Sequence, residues 1–467
     1  MRTAYGGAFE IEPIPAELTD PVWGDLNTKV GEVAETGDDP AALASVMGDM
    51  SSKLARALYG WTKGRCAELR PSLFFVDVFY NYAADVCDEL GIQYVATTSG
   101  IIPGTDACPC WTRPLYTTDG APTTRDMSLL ARLAAATVEP ARLALAALPV
   151  LREARRVRRE LGVTAPRASA AAPSARFRHR LTLVNTFFGH ESPRPLPPYV
   201  RLIGPVRSQG AASGPPRFEG EFAAFVDRLG GDGARLVLLS FGQNCALTPP
   251  RLRALLGGLK RLLARGAVDG AVWSVSMTPE AWLVEAGLRE PGALPDTVLV
   301  APWVPQKLLL ESKAVRAFVS HGGAESCGEA FLSATPVLSV PHFSDQPRNS
   351  VLIQEAGAGL VLSKRALTPE SVERALGRLV AEPSFASAAR RLRALAVSRG
   401  RLATERAADE VEFVLHHGDG HLRPAGDGMS WLKRNDLDLY LAMAAVGVAA
   451  AGAAGALAGA VAARRGR

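Results

Sequence analysis

Eight short, unbroken apolar runs punctuate this chain and leave it few folds to choose from. LFFV (Leu73–Val76), IQYVATT (Ile92–Thr98) and LTLVNT (Leu181–Thr186) fall in the first half. RLVLLSFG (Arg235–Gly242), GAVWSVS (Gly270–Ser276), TVLVAPW (Thr297–Trp303), RAFVSHGG (Arg316–Gly323) and PVLSVP (Pro336–Pro341) fall in the second. A strand that faces water on one side alternates apolar and polar residues. These runs do not alternate, so they predict sheets covered on both faces. Stretches of helical spacing separate them. After Thr248, Pro249 and Pro250 lead into ALLGGLKRLLA, which predicts a capped helix start. Strand–helix alternation on this scale predicts an α/β protein with parallel sheets.

The 467 residues are enough for two domains at ~100–200 residues each. Ser208–Gly220 (SQGAASGPPRFEG) is small, polar and rich in Gly and Pro, and predicts a linker. The organisation expected is an N-terminal domain over 1–207, the linker over 208–220, and a C-terminal domain with trailing helices over 221–436. Hydrophobic residues at 48% and charged residues at 21% exclude wholesale disorder. A formal charge of +5 spread over this length gives no footprint for nucleic acid. Six cysteines do not make a disulfide scaffold, and Cys108 and Cys110 lack the further pair or nearby His of a zinc site. Leu151–Gly162 (LREARRVRRELG) is basic; it reads as a solvated helix face, with contact to anionic lipid as the alternative.

Leu439–Ala463 is a run of 25 residues without a charge. A membrane-crossing helix needs ~20 such residues. Trp431 and Tyr440 flank its start, and Arg464, Arg465 and Arg467 follow it. A transmembrane helix over 437–463 and a basic cytosolic tail over 464–467 are therefore expected. An Ala-rich soluble helix is the alternative. Gly455 and Gly459 form a small-xxx-small pair through which two spans can approach, so a homo-oligomer stays open. Residues 1–30 carry no continuous apolar core of a signal peptide.

The densest chemical signal lies between Trp303 and Gln346. In AFVSHGGAESCGEAF an apolar strand ends at Ser320, His321, Gly322 and Gly323 turn, and a helix begins near Ala324. A Gly pair lets backbone N–H groups approach a ligand, and a helix N-terminus carries free donors and partial positive charge. This suits a diphosphate; a tight structural turn explains H-G-G equally well. Glu329 lies about two helical turns on and can accept from ribose hydroxyls. Trp303 offers a flat face to a base, and Gln306 both donates and accepts. Asp345 and Gln346 end the next strand's loop and suit sugar hydroxyls, while Gly242 closes SFGQ and permits close approach.

W-x-P-Q, H-G-G, E-A and P-x-F-x-D-Q-P-x-N, in this order, resemble the signature of the UDP-glycosyltransferases. Val184–Val206 and Pro71–Gly100 are similar to the junction and acceptor segments of the membrane-anchored UDP-glucuronosyltransferase type. The resemblance implies a GT-B fold: two Rossmann-like domains facing a cleft, the N-terminal one for a small lipophilic acceptor and the C-terminal one for UDP-sugar. It implies Trp303 on uracil, Gln306 and Glu329 on ribose, and His321, Gly323 and Ser326 on the diphosphate. Asp345 and Gln346 would bind the sugar, with Gly242 close to the phosphates. UDP-sugar is then a co-substrate, with no cofactor and no metal, and glucose or glucuronate is transferred with inversion. Residence in the endoplasmic reticulum membrane, catalytic part lumenal, is implied as well.

Two departures qualify the expectation. The family's catalytic base is a His near the start of the N-terminal domain, oriented by an Asp. Asp77 matches the Asp, with a helix N-cap as its alternative role, but the first His here is His179. The match starts as though the first β–α–β unit were missing, and a truncated version of a longer chain is expected rather than a genuine loss. His342 and His190 are the substitutes considered for the base, both poorly placed. The second departure is Glu325, where the family carries Asn. A carboxylate beside a diphosphate repels it unless it faces solvent. A silent homologue that holds UDP-sugar without transferring it is the other functional reading.

Overall fold

The computed structural model describes residues 14–19, 40–100, 127–165, 177, 180–206, 220–243, 245–276, 278–398, 402–424, 426, 429–434 and 436–465. Cys108, Cys110, His179, Arg467 and the linker before Gly220 lie outside the described residues. The chain divides into two compact units, Met1–Asp419 and Gly420–Arg467. Both sheets belong to the first.

The first half runs α1 (Pro40–Leu69), β1 (Leu73–Asp77), α2 (Asn81–Leu90), β2 (Gln93–Thr98), α3 (Leu129–Glu160), β3 (Thr182–Val184) and β4 (Val200–Leu202). The second continues with α4 (Gly220–Arg228), β5 (Leu236–Ser240), α5 (Pro249–Ala264), β6 (Gly270–Ser274), α6 (Glu280–Glu285) and β7 (Val298–Ala301). Then come α7 (Gln306–Glu311), β8 (Val315–Ser320), α8 (Ala324–Ser333), β9 (Val337–Ser339), α9 (Gln346–Glu355) and β10 (Gly359–Val361). Helices α10 (Pro369–Ala381), α11 (Pro383–Val397) and α12 (Ala403–His417) complete the first unit. The second unit holds α13 (Trp431–Arg434) and α14 (Leu437–Arg465).

Strands β1 to β4 form a parallel sheet in that spatial order, and the other six form a parallel sheet ordered β10-β9-β8-β5-β6-β7. The unbroken apolar runs have the expected cause. Along β5, Val237 and Leu239 join a core with Leu252, Leu255 and Leu259 of α5. Leu236 and Leu238 join the core on the opposite face, with Leu309 and Phe331. Period-two geometry sends alternate residues to two separate cores, so neither set can be polar.

All eight runs form strands, and β4 and β10 are additional. Each spans three residues at a sheet edge and is too short to leave a periodic trace. Thr248 holds the N-cap position of α5, but its side chain makes no capping hydrogen bond; Pro at the first turn sets that start. Among the described residues β1 is an edge, and Phe75 within it and Phe79 just after it are 49% and 44% exposed. In the basic stretch of α3, Arg152, Arg155, Arg156 and Arg159 are exposed, as a solvated helix face requires. Val157 is buried, Arg158 pairs with Asp85, and Glu153 and Glu160 receive Arg56 at 2.7 and 2.9 Å.

In the second unit, Leu437–Arg464 is the one helix among the described residues long and apolar enough to cross a membrane. It has a mean hydropathy of 1.9, and no part of its apolar window is buried. A soluble core helix would bury a face.

Candidate functional site

The carboxyl ends of β5, β7, β8 and β9 bring the predicted residues to one side of the larger sheet. Open parallel sheets bind ligands at that side. β8 ends at Ser320, and the chain turns through His321, Gly322 and Gly323 into α8. Gly322 has φ +81° and donates its N–H to Ser320 Oγ at 3.3 Å. Gly323 is the N-cap of α8. The His321 ring lies between two glycines: a Cβ at Gly323 would overlap Nε2, and one at Gly242 would stand 2.8 Å from Cε1. Gly242 itself has φ +69°, in the left-handed region where a side chain is strained. His321 Nδ1 lies 3.4 Å from Ser320 Oγ, and burial lowers the ring's pKa to about 4. The imidazole is neutral at pH 7, so the positive character of this turn comes from backbone donors and the helix end.

A second cluster lies at the start of α7 and on the first two turns of α8. Gln306 Nε2 donates to Glu329 Oε2 at 2.7 Å and to Ser326 Oγ at 3.3 Å. Burial raises the Glu329 carboxyl above its ordinary range, and the Gln306 hydrogen bond opposes that rise. Three residues before Gln306, Trp303 is 67% exposed. An indole so exposed contributes little to the core and offers its face to a ligand. Glu325 lies in the first turn of α8 and is exposed, so the carboxylate that departs from the family pattern faces solvent.

Two predicted residues have partners the sequence did not foresee. Asp345 Oδ2 accepts the Ala324 N–H at 3.1 Å and Asn349 Nδ2 at 2.7 Å. It thus occupies one free donor at the start of α8, and burial raises its pKa. Gln346 is buried and turned inward. Its Oε1 accepts the N–H groups of His342 and Phe343 at 2.9 and 3.1 Å, and its Nε2 faces Cys245 Sγ at 3.6 Å. In this arrangement its amide oxygen braces the loop.

Asp77 closes β1, on the other sheet. Its Oδ1 accepts the Phe79 N–H at 2.9 Å, and burial raises its pKa against that bond. The N-cap position of α2 belongs to Tyr80, so the carboxylate makes an Asx turn instead of a cap. No histidine hydrogen-bonds it among the described residues. His342 is fully buried, with Nδ1 2.8 Å from Val340 O, and burial, with Arg251 and Lys364 adding to it, brings its pKa to about 3. That burial removes it as a base. His190 is also buried, its pKa lowered to about 4 by desolvation. It lines a small crevice where Ser99, Asn185 and Thr186 of the first sheet's strand ends meet Ala324, Gly328 and Asn349.

Sequence reasoning assigned no role to Asn349, although it ends the P-x-F-x-D-Q-P-x-N run. Its Nδ2 also donates to Gly322 O at 3.1 Å, which ties α9 to the glycine turn. Glu191 and Arg348 were likewise unassigned; an ion pair between distant segments leaves no local pattern to read.

The family model described as UDP-glucoronosyl and UDP-glucosyl transferase matches residues 171–459, more than half of the chain. The chain belongs to this family. Among its relatives, "UDP-glycosyltransferase 1" of Phaeomoniella chlamydospora is 29% identical over 62% of this chain and 61% of its own length. "UDP-glycosyltransferase" of Talaromyces amestolkiae is 30% identical over 62% of this chain and 57% of its own length. "UDP-glucuronosyltransferase 2A3" of Cavia porcellus is 28% identical over 55% of this chain and 45% of its own length. The chain thus spans less than two thirds of the curated relatives it matches. In structure it is similar to the glycotransferase of kitacinnamycin, with a TM-score of 0.58 and 22% identity over 81% of this chain and 83% of that one. Os79 from O. sativa in complex with UDP gives a TM-score of 0.52 and 21% identity over 79% of this chain and 84% of that one. The fold is that of the GT-B glycosyltransferases, two parallel sheets in an α/β arrangement.

Proposed function

We propose that this UDP-glycosyltransferase family member binds a UDP-sugar at the carboxyl ends of the larger sheet and transfers its hexosyl group, glucose or glucuronate, to a hydroxyl of a small lipophilic acceptor. The observation that carries the reading is the Gly322–Gly323 turn into α8, with Gln306 paired to Glu329 on that helix's first turns and the exposed Trp303 three residues before Gln306. Uracil stacks on Trp303. The Gln306–Glu329 pair holds the ribose, and Ser326 and the first turn of α8 hold the diphosphate. Asp345 stands between that turn and the sugar. The family names of the relatives support the same chemistry.

In the step itself, the acceptor oxygen forms a bond to the anomeric carbon as the bond to the β-phosphate oxygen breaks. The electron pair leaves on UDP, the acceptor proton goes to a base, and configuration inverts. The helix end disperses charge on the leaving diphosphate without a metal. Helix α14 anchors the chain in a membrane, with Arg464, Arg465 and Arg467 cytosolic and the catalytic part in the lumen of the endoplasmic reticulum.

One observation favours a second reading, donor binding without transfer: the Asp77 carboxylate is held by the Phe79 N–H, with no histidine bonded to it among the described residues. The test is to incubate the purified chain in detergent with radiolabelled UDP-glucose or UDP-glucuronate and a panel of lipophilic phenols. Labelled glycoside and stoichiometric UDP are expected for a transferase. UDP binding with no glycoside supports the silent reading, and the absence of both overturns the donor site.

A further inference from the structure

The donor loops rest on a buried ion pair that none of the family motifs accounts for. Arg348 Nη1 and Nη2 donate to Glu191 Oε1 and Oε2 at 2.9 and 2.6 Å, and the two side chains are 3% and 1% exposed. Arg194 adds a second cation 3.6 Å from Oε2. Arginine contacts hold the Glu191 carboxyl below its ordinary range despite its burial. Such a pair forfeits much hydration and is no economical way to add stability, though removing one partner alone is strongly destabilising.

Its position shows what else it does. Glu191 sits in the turn that follows β3, where its N–H donates to Phe187 O at 3.0 Å. Arg348 lies in the first turn of α9, between Asp345 at the N-cap and Asn349. Asn349 reaches Gly322 O and Asp345, and Asp345 reaches the Ala324 N–H. One helical turn thus carries Arg348, anchored to the first sheet's loop, and the two side chains that hold the glycine turn. Two more contacts join the same parts of the fold: the His190 ring on that loop is 4.7 Å from that of Phe331 on α8, and a Cβ on Gly328 of α8 would stand 3.2 Å from Pro205, which follows β4.

We infer that Glu191 is a positioning residue for the diphosphate site: through Arg348 it fixes the first turn of α9, so that Asn349 and Asp345 keep the Gly322–Ala324 turn in its binding geometry. The inference rests on the donor-site reading above. It makes diphosphate affinity depend on a residue of the smaller sheet's loop that touches no ligand.

The experiment uses the full chain in detergent and compares wild type with Glu191→Gln, which keeps the volume and removes the charge. UDP affinity is read by calorimetry, uridine affinity by saturation-transfer NMR, and folding by thermal melting. A folded variant should bind UDP about ten- to a hundred-fold more weakly and uridine unchanged; Glu191→Asp should recover part of the loss. A merely structural role would not separate UDP from uridine. If Glu191→Gln does not fold, the double replacement Glu191→Leu with Arg348→Met removes both buried charges, and the same split is expected of it. UDP affinity equal to wild type in either folded variant overturns the inference, as does failure of both variants to fold, which makes the pair part of the fold alone. A wild-type chain that binds no UDP overturns the donor-site reading instead.

Discussion

Replacing Trp303 with alanine separates the nucleoside half of the proposed site from everything else in the molecule. Trp303 follows β7 and is 67% exposed, so truncating it leaves the two cores of the larger sheet intact. Substitutions at exposed positions without special contacts change stability by about 0.5 kcal/mol or less. Stacking of a base on an aromatic side chain is worth about 1–3 kcal/mol by alanine substitution. At ~1.4 kcal/mol per factor of ten, Trp303→Ala should weaken UDP by about five- to 150-fold. Trp303→Phe, which keeps a smaller flat face, should lose less. The assay is calorimetric titration with UDP and with inorganic pyrophosphate, alongside thermal melting. Pyrophosphate has no base, so its affinity should not change. An alanine variant that binds UDP as tightly as wild type, or loses pyrophosphate to the same degree, would refute stacking on Trp303.

Three further outcomes are expected. Gly242→Ala places a side chain at φ +69° and against His321, so it should cost about 1–2 kcal/mol of stability; UDP titration should show weaker binding, while an alanine at exposed Gly64, which has open space around it, should not. Glu89 gives a pH signature: burial opposes ionisation, but Lys63, Tyr59 and the Thr164 N–H outweigh it and bring the carboxyl from 4.5 to about 2. Its folded pKa is depressed, so its contribution is complete above the unfolded value and is lost as pH falls through the folded one. Thermal melts of Glu89→Gln should therefore run below wild type at neutral pH and converge with it between pH 4.5 and about 2. Removing residues 437–467 should move the chain from the membrane pellet to the soluble fraction with UDP affinity kept, as fractionation and calorimetry would register.

The fold was legible where burial is two-sided. LVLLS at β5 is apolar up to its last residue because its alternate residues enter different cores, and the same requirement shapes β6 and, from Ala317 on, β8. The three-residue edge strands β4 and β10 satisfy too few contacts to impose a pattern. At the candidate site, the places of Trp303, Gln306, His321, Gly323, Ser326 and Glu329 at strand ends and helix starts were readable because a glycine turn and a helix start fix them along the chain. The side-chain directions were not. Gln346 fits a sugar ligand by residue type, yet its amide closes the His342–Phe343 turn. Asp345 proved to hold the Ala324 N–H as well. The Glu191–Arg348 pair joins residues far apart in sequence, and such a contact is set by tertiary packing alone.

The most direct test is a crystal structure of the chain grown with UDP. Uracil should stack on Trp303, the ribose should lie against Gln306 and Glu329, and the diphosphate should sit at the N-terminus of α8 beside Gly323 and Ser326. UDP bound away from the carboxyl ends of the larger sheet, or no density for UDP at millimolar concentration, would contradict it.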